Sequence, residues 1–391
     1  MRPEERETRD ISRAALVAAL HPDSGQFARL VETAADRIDW PWVLERAAAH
    51  KVAALLAARV EQCELTARVG EAAATRLRKT RQEARARADV AHATLRELSA
   101  RFQEARIPFL VVKGSVVAEH VYRDAAARRF YDVDIVVQPE MVEAAEALLR
   151  GEGYRLGQVE KLLGARPRGD AERRLAEKLT HEFYRRFEYE VPFVAPSAAR
   201  LAVDLHWHIA PRARVRIGAH DLWRYTTAVV VADMQVMTLT PAATVIHLAV
   251  HATTCSFPGF RLLHLCDVAW AATRLGAQCE DLRAVADDWG VGAHLDRVLE
   301  MTTRTLGVPF PSQPRTALRW RPAFDWAARD AFLVDGAVAQ PIPAWRRAWR
   351  EMVWSIAMRC LRHNLVRSLR VRRSRLRWRW QRWRLRTGAA A

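Results

Sequence analysis

The stretch "VVKGSVVAEHVYRDAAARRFYDVDIVV" (Val111 to Val137) constrains the fold more than any other part of the chain. An apolar run with strand character leads through a small Lys-Gly-Ser turn into a helical pattern. A second apolar run follows and carries two aspartates one residue apart. Strand patterns that alternate with helical ones are typical of a sheet with helices packed on it. We therefore expect an α+β protein whose central sheet carries the two aspartates.

Helical patterns precede this stretch. In "ARADVAHATLRELSARF", Ala91, Leu95, Leu98 and Phe102 recur with the period of an amphipathic helix. The segment from Pro41 to Val60 has a similar pattern, with the proline suited to a first helical turn. No strand pattern is present before residue 107.

The first predicted strand is "IPFLVV" (107–112), and three later segments also have strand patterns. "VDIVV" (133–137) is apolar and β-rich, and "LAVDLHWHI" (201–209) alternates strictly between apolar and polar residues. "TAVVVADMQVMTL" predicts a strand pair around Asp233. Helices resume at Thr240-Pro241, a typical N-cap and first helical position. The segment 155–190, rich in Arg and Glu, receives no assignment.

The net charge of +17 is concentrated at one end of the chain. Beyond Glu351 there are twelve arginines and no acidic residue, so the preceding part has 50 basic residues against all 45 acidic ones. The tail "RSLRVRRSRLRWRWQRWRLR" (367–386) mixes arginine with tryptophan. This composition suits RNA, through phosphate contacts and stacking, or an anionic membrane surface. A solvated basic end without a fixed partner is the alternative.

The five cysteines are scattered and lack paired metal-ligand spacing, which favours a reducing compartment. The polar N-terminus does not resemble a signal peptide, and no apolar run approaches the length of a membrane span. We therefore expect a cytoplasmic protein.

The two aspartates predict a metal site. Residues i and i+2 of a strand share a face, so Asp132 and Asp134 point the same way. Parallel carboxylates repel each other unless a cation joins them, and Mg²⁺ prefers such oxygen ligands. Asp204, on the polar face of a later strand, would supply a third carboxylate and permit a two-metal site. The turn before the helix would let backbone N–H groups approach phosphate.

In this order of motifs the chain resembles the DNA polymerase β-like nucleotidyltransferase superfamily. Within that superfamily it is most similar to bacterial nucleotidyltransferase family proteins with a KG…LY…R…D-x-D core. The resemblance covers roughly residues 40–275 and rests on the following matches: Lys113-Gly114-Ser115, Tyr122, Arg128, "DVDIVV", "VDLHWHI" and "HLAVHA…RLLHLCDVA".

The resemblance implies a mixed sheet with flanking helices and transfer of a nucleoside monophosphate from an NTP to an acceptor. It implies that Asp132 and Asp134 bind two Mg²⁺ ions, with Mn²⁺ as an alternative, and that Asp204 binds the ion that activates the acceptor. The triphosphate would be met by the turn residues Lys113, Gly114 and Ser115, and by Arg128. We expect Lys113 and Arg128 at a solvent-lined cleft. The acceptor is unidentified and could be a small molecule, a peptide or RNA.

These patterns divide the chain into an N-terminal helical region (1–106), a nucleotidyltransferase core (107–240), a C-terminal helical domain (241–337), and a linker, helix and basic tail (338–391).

Two other functions remain open. A glycosyltransferase could use the D-x-D motif with a nucleotide sugar, although such folds begin with a strand–helix unit rather than about 100 helical residues. A non-catalytic adaptor could bind nucleic acid or membrane, although a vestigial site has no reason to keep three carboxylates.

Histidines near the predicted site also have competing readings. His206 and His208 could orient the acceptor or a metal-bound water, but a structural role is favoured. His247 and His251 have the i, i+4 spacing of a metal pair, but no third ligand is evident. Asp267 is read as an internal salt bridge or cap.

Overall fold

The computed structural model describes residues 2–159, 170–210, 215, 217–254 and 261–310. Within these residues the chain forms a mixed five-stranded sheet with helices on both faces and a separate two-stranded hairpin. The predicted α+β class is therefore confirmed. The proposed linker at 338–345 and the basic tail lie outside the described residues.

Five helices precede the sheet, and the described chain contains no strand before Phe109, as predicted. They are α1 (Pro3–Leu20), α2 (Gly25–Ala34), α3 (Trp40–Ala49), α4 (Ala53–Gln62) and α5 (Glu71–Glu104). The continuous helical pattern from Pro41 to Val60 is in fact two helices. Lys51 lies between them with a φ of 60°, a left-handed conformation that a right-handed helix cannot include.

The main sheet contains β1 (Phe109–Val112), β2 (Asp132–Val137), β3 (Arg155–Leu156), β4 (Glu190–Val194) and β5 (Ala202–His206). Its strand order is β1-β2-β5-β4-β3. Only β2 and β5 pair in parallel, and the other neighbours are antiparallel. The strands predicted at 107–112 and 201–209 are confirmed with shorter bounds, and the strand predicted at 133–137 is confirmed and begins one residue earlier.

The predicted strand pair around Asp233 is also confirmed, as β6 (Thr226–Val231) and β7 (Met234–Leu239). Its two turn residues, Ala232 and Asp233, have φ values of 49° and 63°. Positive φ at both central residues is the geometry of a type I′ hairpin turn, which matches the twist of the two strands.

The remaining helices start with α6 (Gly114–Val116), which continues as a π-helical turn at Val117–Val121. They are completed by α7 (Val142–Gly151), α8 (Asp170–Phe187), α9 (Ala219–Trp223), α10 (Pro241–Thr254), α11 (Leu262–Arg274), α12 (Cys279–Asp288) and α13 (Gly292–Leu306). The segment left unassigned by sequence thus contains α8. Of the described helices, none combines the length and apolarity that crossing a membrane requires.

Apolar residues cover both faces of the sheet. Val133, Ile135 and Val137 of β2 pack on one face in a cluster with α5 and α7, where the stripe Ala91, Leu95, Leu98 and Phe102 is fully buried. Val136 faces the other way, into a cluster with α1–α4 and α10–α13. Because Asp132 and Asp134 share the face of Val136, they point toward the layer that contains α10 and α11.

Candidate functional site

The register of the sheet brings two aspartates side by side. Asp134 of β2 is the direct neighbour of Asp204 of β5, and Asp132 lies opposite Ala202 on the same face. Neighbouring strands are about 4.8 Å apart, so parallel strands in this register hold their carboxylates at comparable separation. The three predicted aspartates therefore lie together on one face of the sheet, on the adjacent inner strands β2 and β5.

A histidine completes the group. Ligand atoms of Asp134, Asp204 and His206 all lie within 4.8 Å of one another. His206 is two residues beyond Asp204 on β5 and therefore shares its face. Among the described residues this is the one set of three or more such side chains that could hold a metal ion.

His206 connects two carboxylates. Its Nε2 lies 3.0 Å from Oδ1 of Asp134, and its Nδ1 lies 3.2 Å from Oε2 of Glu190 on β4. The histidine is 2% exposed, so both contacts are shielded from water. Glu190 is a site residue that the sequence analysis missed, because it closes the segment that had no assignment. Its position opposite His206 could not be predicted from the sequence, because it depends on the pairing of β4 with β5.

Lys113 lies at the end of β1 and contacts the same carboxylate. Its Nζ is 2.5 Å from Oδ1 of Asp134, and the lysine side chain is 11% exposed. The backbone of Lys113 has φ 50° and ψ −128°, close to the first central position of a type II′ turn, which favours glycine. A lysine in this conformation carries strain of order 1–3 kcal/mol.

The rest of the Lys-Gly-Ser turn adjoins β2. Gly114 and Ser115 are buried, and a Cβ on Gly114 would lie 3.5 Å from the backbone oxygen of Asp132. That separation is an ordinary van der Waals contact, so this glycine is not required for steric reasons alone. The turn is thus placed next to the aspartates, at the N-terminal end of β2.

The clustered carboxylates alter each other's pKa. Burial, followed by repulsion from Asp132 and Asp134, raises the pKa of Asp204 to about 7. Burial and Asp134 likewise raise the pKa of Asp132. Burial alone would also raise the pKa of Asp134, but contact with Lys113 and His206 holds it well below its usual range. The negative charge of the three aspartates therefore exceeds the positive charge that Lys113 supplies.

Arg128 is placed differently from the expectation. Its Nε and Nη2 each donate to a carboxylate oxygen of Asp267 on α11, both at 2.9 Å, and the arginine side chain is 10% exposed. The hydroxyl of Tyr122 donates to the same carboxylate at 2.9 Å. The expectation of a solvent-lined cleft is wrong for Arg128, because this buried ion pair encloses it. It is also wrong for Lys113, whose side chain is only 11% exposed and is held in an ion pair of its own. The reading of Asp267 as an internal salt bridge is confirmed.

One buried histidine, His247, and two half-buried ones, His251 and His264, lie on α10 and α11. Burial, followed by repulsion from the nearby Lys113, lowers the pKa of His247 to about 3. His251 and His264 have ring centroids 5.3 Å apart, and burial lowers the pKa of both. His247 and His251 belong to no group of metal-capable side chains in the described chain. They are consistent with neutral histidines that pack α10 and α11 over the sheet.

His208 has a structural position, as favoured from the sequence. Its ring is 1% exposed, with Nε2 2.6 Å from the carbonyl oxygen of Ile217 and Nδ1 facing the backbone of Ala210. These contacts hold the chain that follows β5 against the segment before α9.

A mixed sheet that pairs an Asp-x-Asp strand with a single-Asp strand, beside a Lys-Gly-Ser turn, defines a nucleotidyltransferase core. The chain belongs to the family described as uncharacterised nucleotidyltransferases, whose family model matches residues 36–307. No curated protein and no solved structure is significantly similar to the chain. The family confirms the resemblance to nucleotidyltransferases and supports a nucleotidyl transfer function.

The donor set fits a divalent cation. Asp132, Asp134, Asp204 and Glu190 place four carboxylates around one lysine and one histidine. Two of these carboxyl groups have a raised pKa because burial and the neighbouring carboxylates outweigh the attraction of the nearby positive groups. Hard oxygen ligands with excess negative charge are what Mg²⁺ and Mn²⁺ prefer.

Proposed function

We propose that this protein transfers a nucleoside monophosphate from an NTP to an acceptor, with Mg²⁺ or Mn²⁺ at the carboxylate site. The observation that carries the proposal is the register pair Asp134–Asp204, with His206 beside it and Lys113 on the same carboxylate. In the reaction an acceptor oxygen bonds to the α-phosphorus of the NTP. The bond from that phosphorus to the bridging oxygen breaks, and pyrophosphate leaves.

Asp134 and Asp204 would hold the metal, with His206 as a possible further ligand and Asp132 serving a second ion. When bound, the metal would neutralise charge on the phosphate oxygens and lower the pKa of the acceptor group. Glu190 fixes the ring of His206 through Nδ1, which orients Nε2 toward Asp134.

Lys113 supplies positive charge for the triphosphate. In this structure its Nζ contacts Asp134, and a cation at that carboxylate would free the lysine for a phosphate oxygen. Arg128 retains one amino group, Nη1, beyond the two nitrogens that contact Asp267. Through this group Arg128 would contact the triphosphate, and Asp267 would hold the arginine in position.

The test uses NTPs labelled at the α-phosphate, together with Mg²⁺ and a cell extract that contains candidate acceptors. We expect transfer of label to a specific acceptor and release of pyrophosphate. Asp134→Asn and Asp204→Asn should each reduce the rate by about 10³-fold or more, since each removes a metal ligand. The matched control is Asp233→Asn, an exposed carboxylate in the hairpin turn.

In a parallel assay with a nucleotide sugar labelled in its sugar, transfer of the sugar, together with no transfer of the α-phosphate from any NTP, would replace the proposal with the glycosyltransferase alternative. Absence of transfer with every NTP, together with RNA or vesicle binding that ignores the aspartates, would favour the adaptor. Identifying the labelled product also distinguishes a small-molecule, peptide or RNA acceptor.

A further inference from the structure

A second concave site lies away from the carboxylates. A cavity of about 430 Å³ is enclosed by α4, α5, α11 and the residues that follow the π-helical turn. Cavities of about 300–1,000 Å³ are typical of small-ligand sites. None of Lys113, Asp132, Asp134 or Asp204 lines this cavity.

The lining of the cavity is strongly basic. Its five arginines are Arg59, Arg81, Arg85, Arg123 and Arg274. Two carboxylates, Glu61 and Asp124, also line it, which leaves three uncompensated positive charges. Surface arginines normally lie beside carboxylates or in open solvent, so their convergence on one concave volume requires a physical explanation.

The two carboxylates are already engaged by two of the arginines. Arg81 contacts Glu61 through Nε at 2.8 Å and Asp124 through Nη2 at 2.9 Å. Arg85 contacts Glu61 through Nη2 at 2.9 Å. The acidic groups therefore compensate Arg81 and Arg85 and leave none for the other three arginines.

Arg59, Arg123 and Arg274 form no ion pair in the part of the chain that the structure describes. Arg59 is 2% exposed, and its nitrogens donate to neutral oxygens, among them the carbonyls of Ala19 and His21. Burial lowers the pKa of Arg59, and repulsion from Arg274 adds to this effect. A buried cation with no carboxylate in direct contact is costly. Asp23 is close enough to offset part of this cost, and an anionic ligand would offset more of it.

We propose that this cavity binds a small anion that carries two or more phosphate groups. The three uncompensated arginines match the charge of such a ligand, and the volume admits a small molecule. The site is separate from the proposed catalytic site and does not depend on the proposed function.

The experiment measures pyrophosphate binding to the full-length protein by titration calorimetry, with EDTA present. Without a divalent ion the carboxylate site repels pyrophosphate, so it does not contribute. The cavity variant is the double substitution Arg123→Gln/Arg274→Gln. Neither arginine has an ion pair in the described structure, so the fold should tolerate the change, which a thermal melt verifies.

The matched control is Arg68→Gln/Arg76→Gln, two exposed arginines outside the cavity. It removes the same charge and retains the same basic tail. We expect the cavity variant to lose about tenfold or more in pyrophosphate affinity, since two charge-assisted contacts are removed, and the control to change by less than about twofold. Wild type should bind pyrophosphate more tightly than orthophosphate.

Three outcomes would overturn the proposal. The first is an equal loss in both double variants, which would indicate general charge attraction or the tail. The second is no saturable pyrophosphate binding by wild type. The third is loss of binding in Asp204→Asn with EDTA present, which would move the ligand to the carboxylate site.

Discussion

Asp134 and Asp204 are direct register partners on the parallel strands β2 and β5, the one parallel pair in the described sheet. Because parallel strands in register present neighbouring residues on the same face, two carboxylates more than 60 residues apart in sequence meet within one strand spacing. This pair lies at the centre of the proposed site. The repulsion between its two carboxylates also destabilises the folded state.

The first prediction concerns stability and pH. The pKa of Asp204 is raised from 3.8 to about 7, so the folded state binds this proton more tightly than the unfolded state. The resulting stabilisation is present below about pH 4 and is lost as pH rises through 7. Without divalent metal, the melting temperature of Asp204→Asn should therefore be higher than that of wild type at pH 8. The difference should be smaller at pH 5.

Each kcal/mol corresponds to roughly 2–4 °C for a domain of about 150–250 residues, so a rise of a few degrees is expected. Added Mg²⁺ should stabilise wild type more than Asp204→Asn, because it compensates the same charge. Asp233→Asn serves as the control and should not shift at either pH. An Asp204→Asn melt below wild type at pH 8 would contradict the electrostatic account.

The second prediction separates the backbone of Lys113 from its charge. Because φ is 50° and ψ is −128°, glycine suits the position better than alanine. Lys113→Gly should be more stable than Lys113→Ala by about 1 kcal/mol in urea denaturation. Both variants should bind NTP more weakly than wild type, since both remove the ammonium group. Equal stability would show that the backbone is not strained, and unchanged NTP affinity would remove Lys113 from the triphosphate site.

The third prediction concerns the buried pair Arg128–Asp267. Asp267→Asn leaves the guanidinium buried without its carboxylate and should cost about 3–5 kcal/mol, measured by urea denaturation. The double variant Arg128→Met/Asp267→Leu should be markedly more stable than the sum of its single variants, because neither charge is then left alone. Additive single effects would show that the pair is not coupled. NTP affinity is informative only for variants that remain folded.

The fourth prediction concerns the basic tail, which lies outside the described residues. Deleting residues 364–391 should reduce binding to RNA or anionic vesicles, and this binding in the full chain should fall steeply with salt as counterions are released. NTP binding with Mg²⁺ should persist in the truncated protein. Salt-independent polyanion binding, or loss of NTP binding on truncation, would contradict the hypothesis that the tail determines only where the protein acts.

Local sequence patterns predicted the parts of the fold that depend on neighbouring residues. The stripe from Ala91 to Phe102, the strand 133–137 and the hairpin around Asp233 follow from periodicity and turn chemistry, which act over a few residues. The break at Lys51 was missed, because a single left-handed residue in a good helical pattern leaves no compositional signal. The segment 155–190 was unassigned for a similar reason, since its charged residues have no clear period.

The sequence by itself determined that Asp132 and Asp134 share a strand face, that Asp204 stands on the polar face of another strand, and that a Lys-Gly-Ser turn opens a helix. Tertiary structure alone decided which groups meet. The pairing of β4 with β5 brings Glu190 to His206, and the packing of α11 encloses Arg128 with Asp267. The convergence of five arginines on one cavity also required the packed helices. These contacts join residues far apart in the chain, and strand order and helix packing set them, which no local pattern encodes.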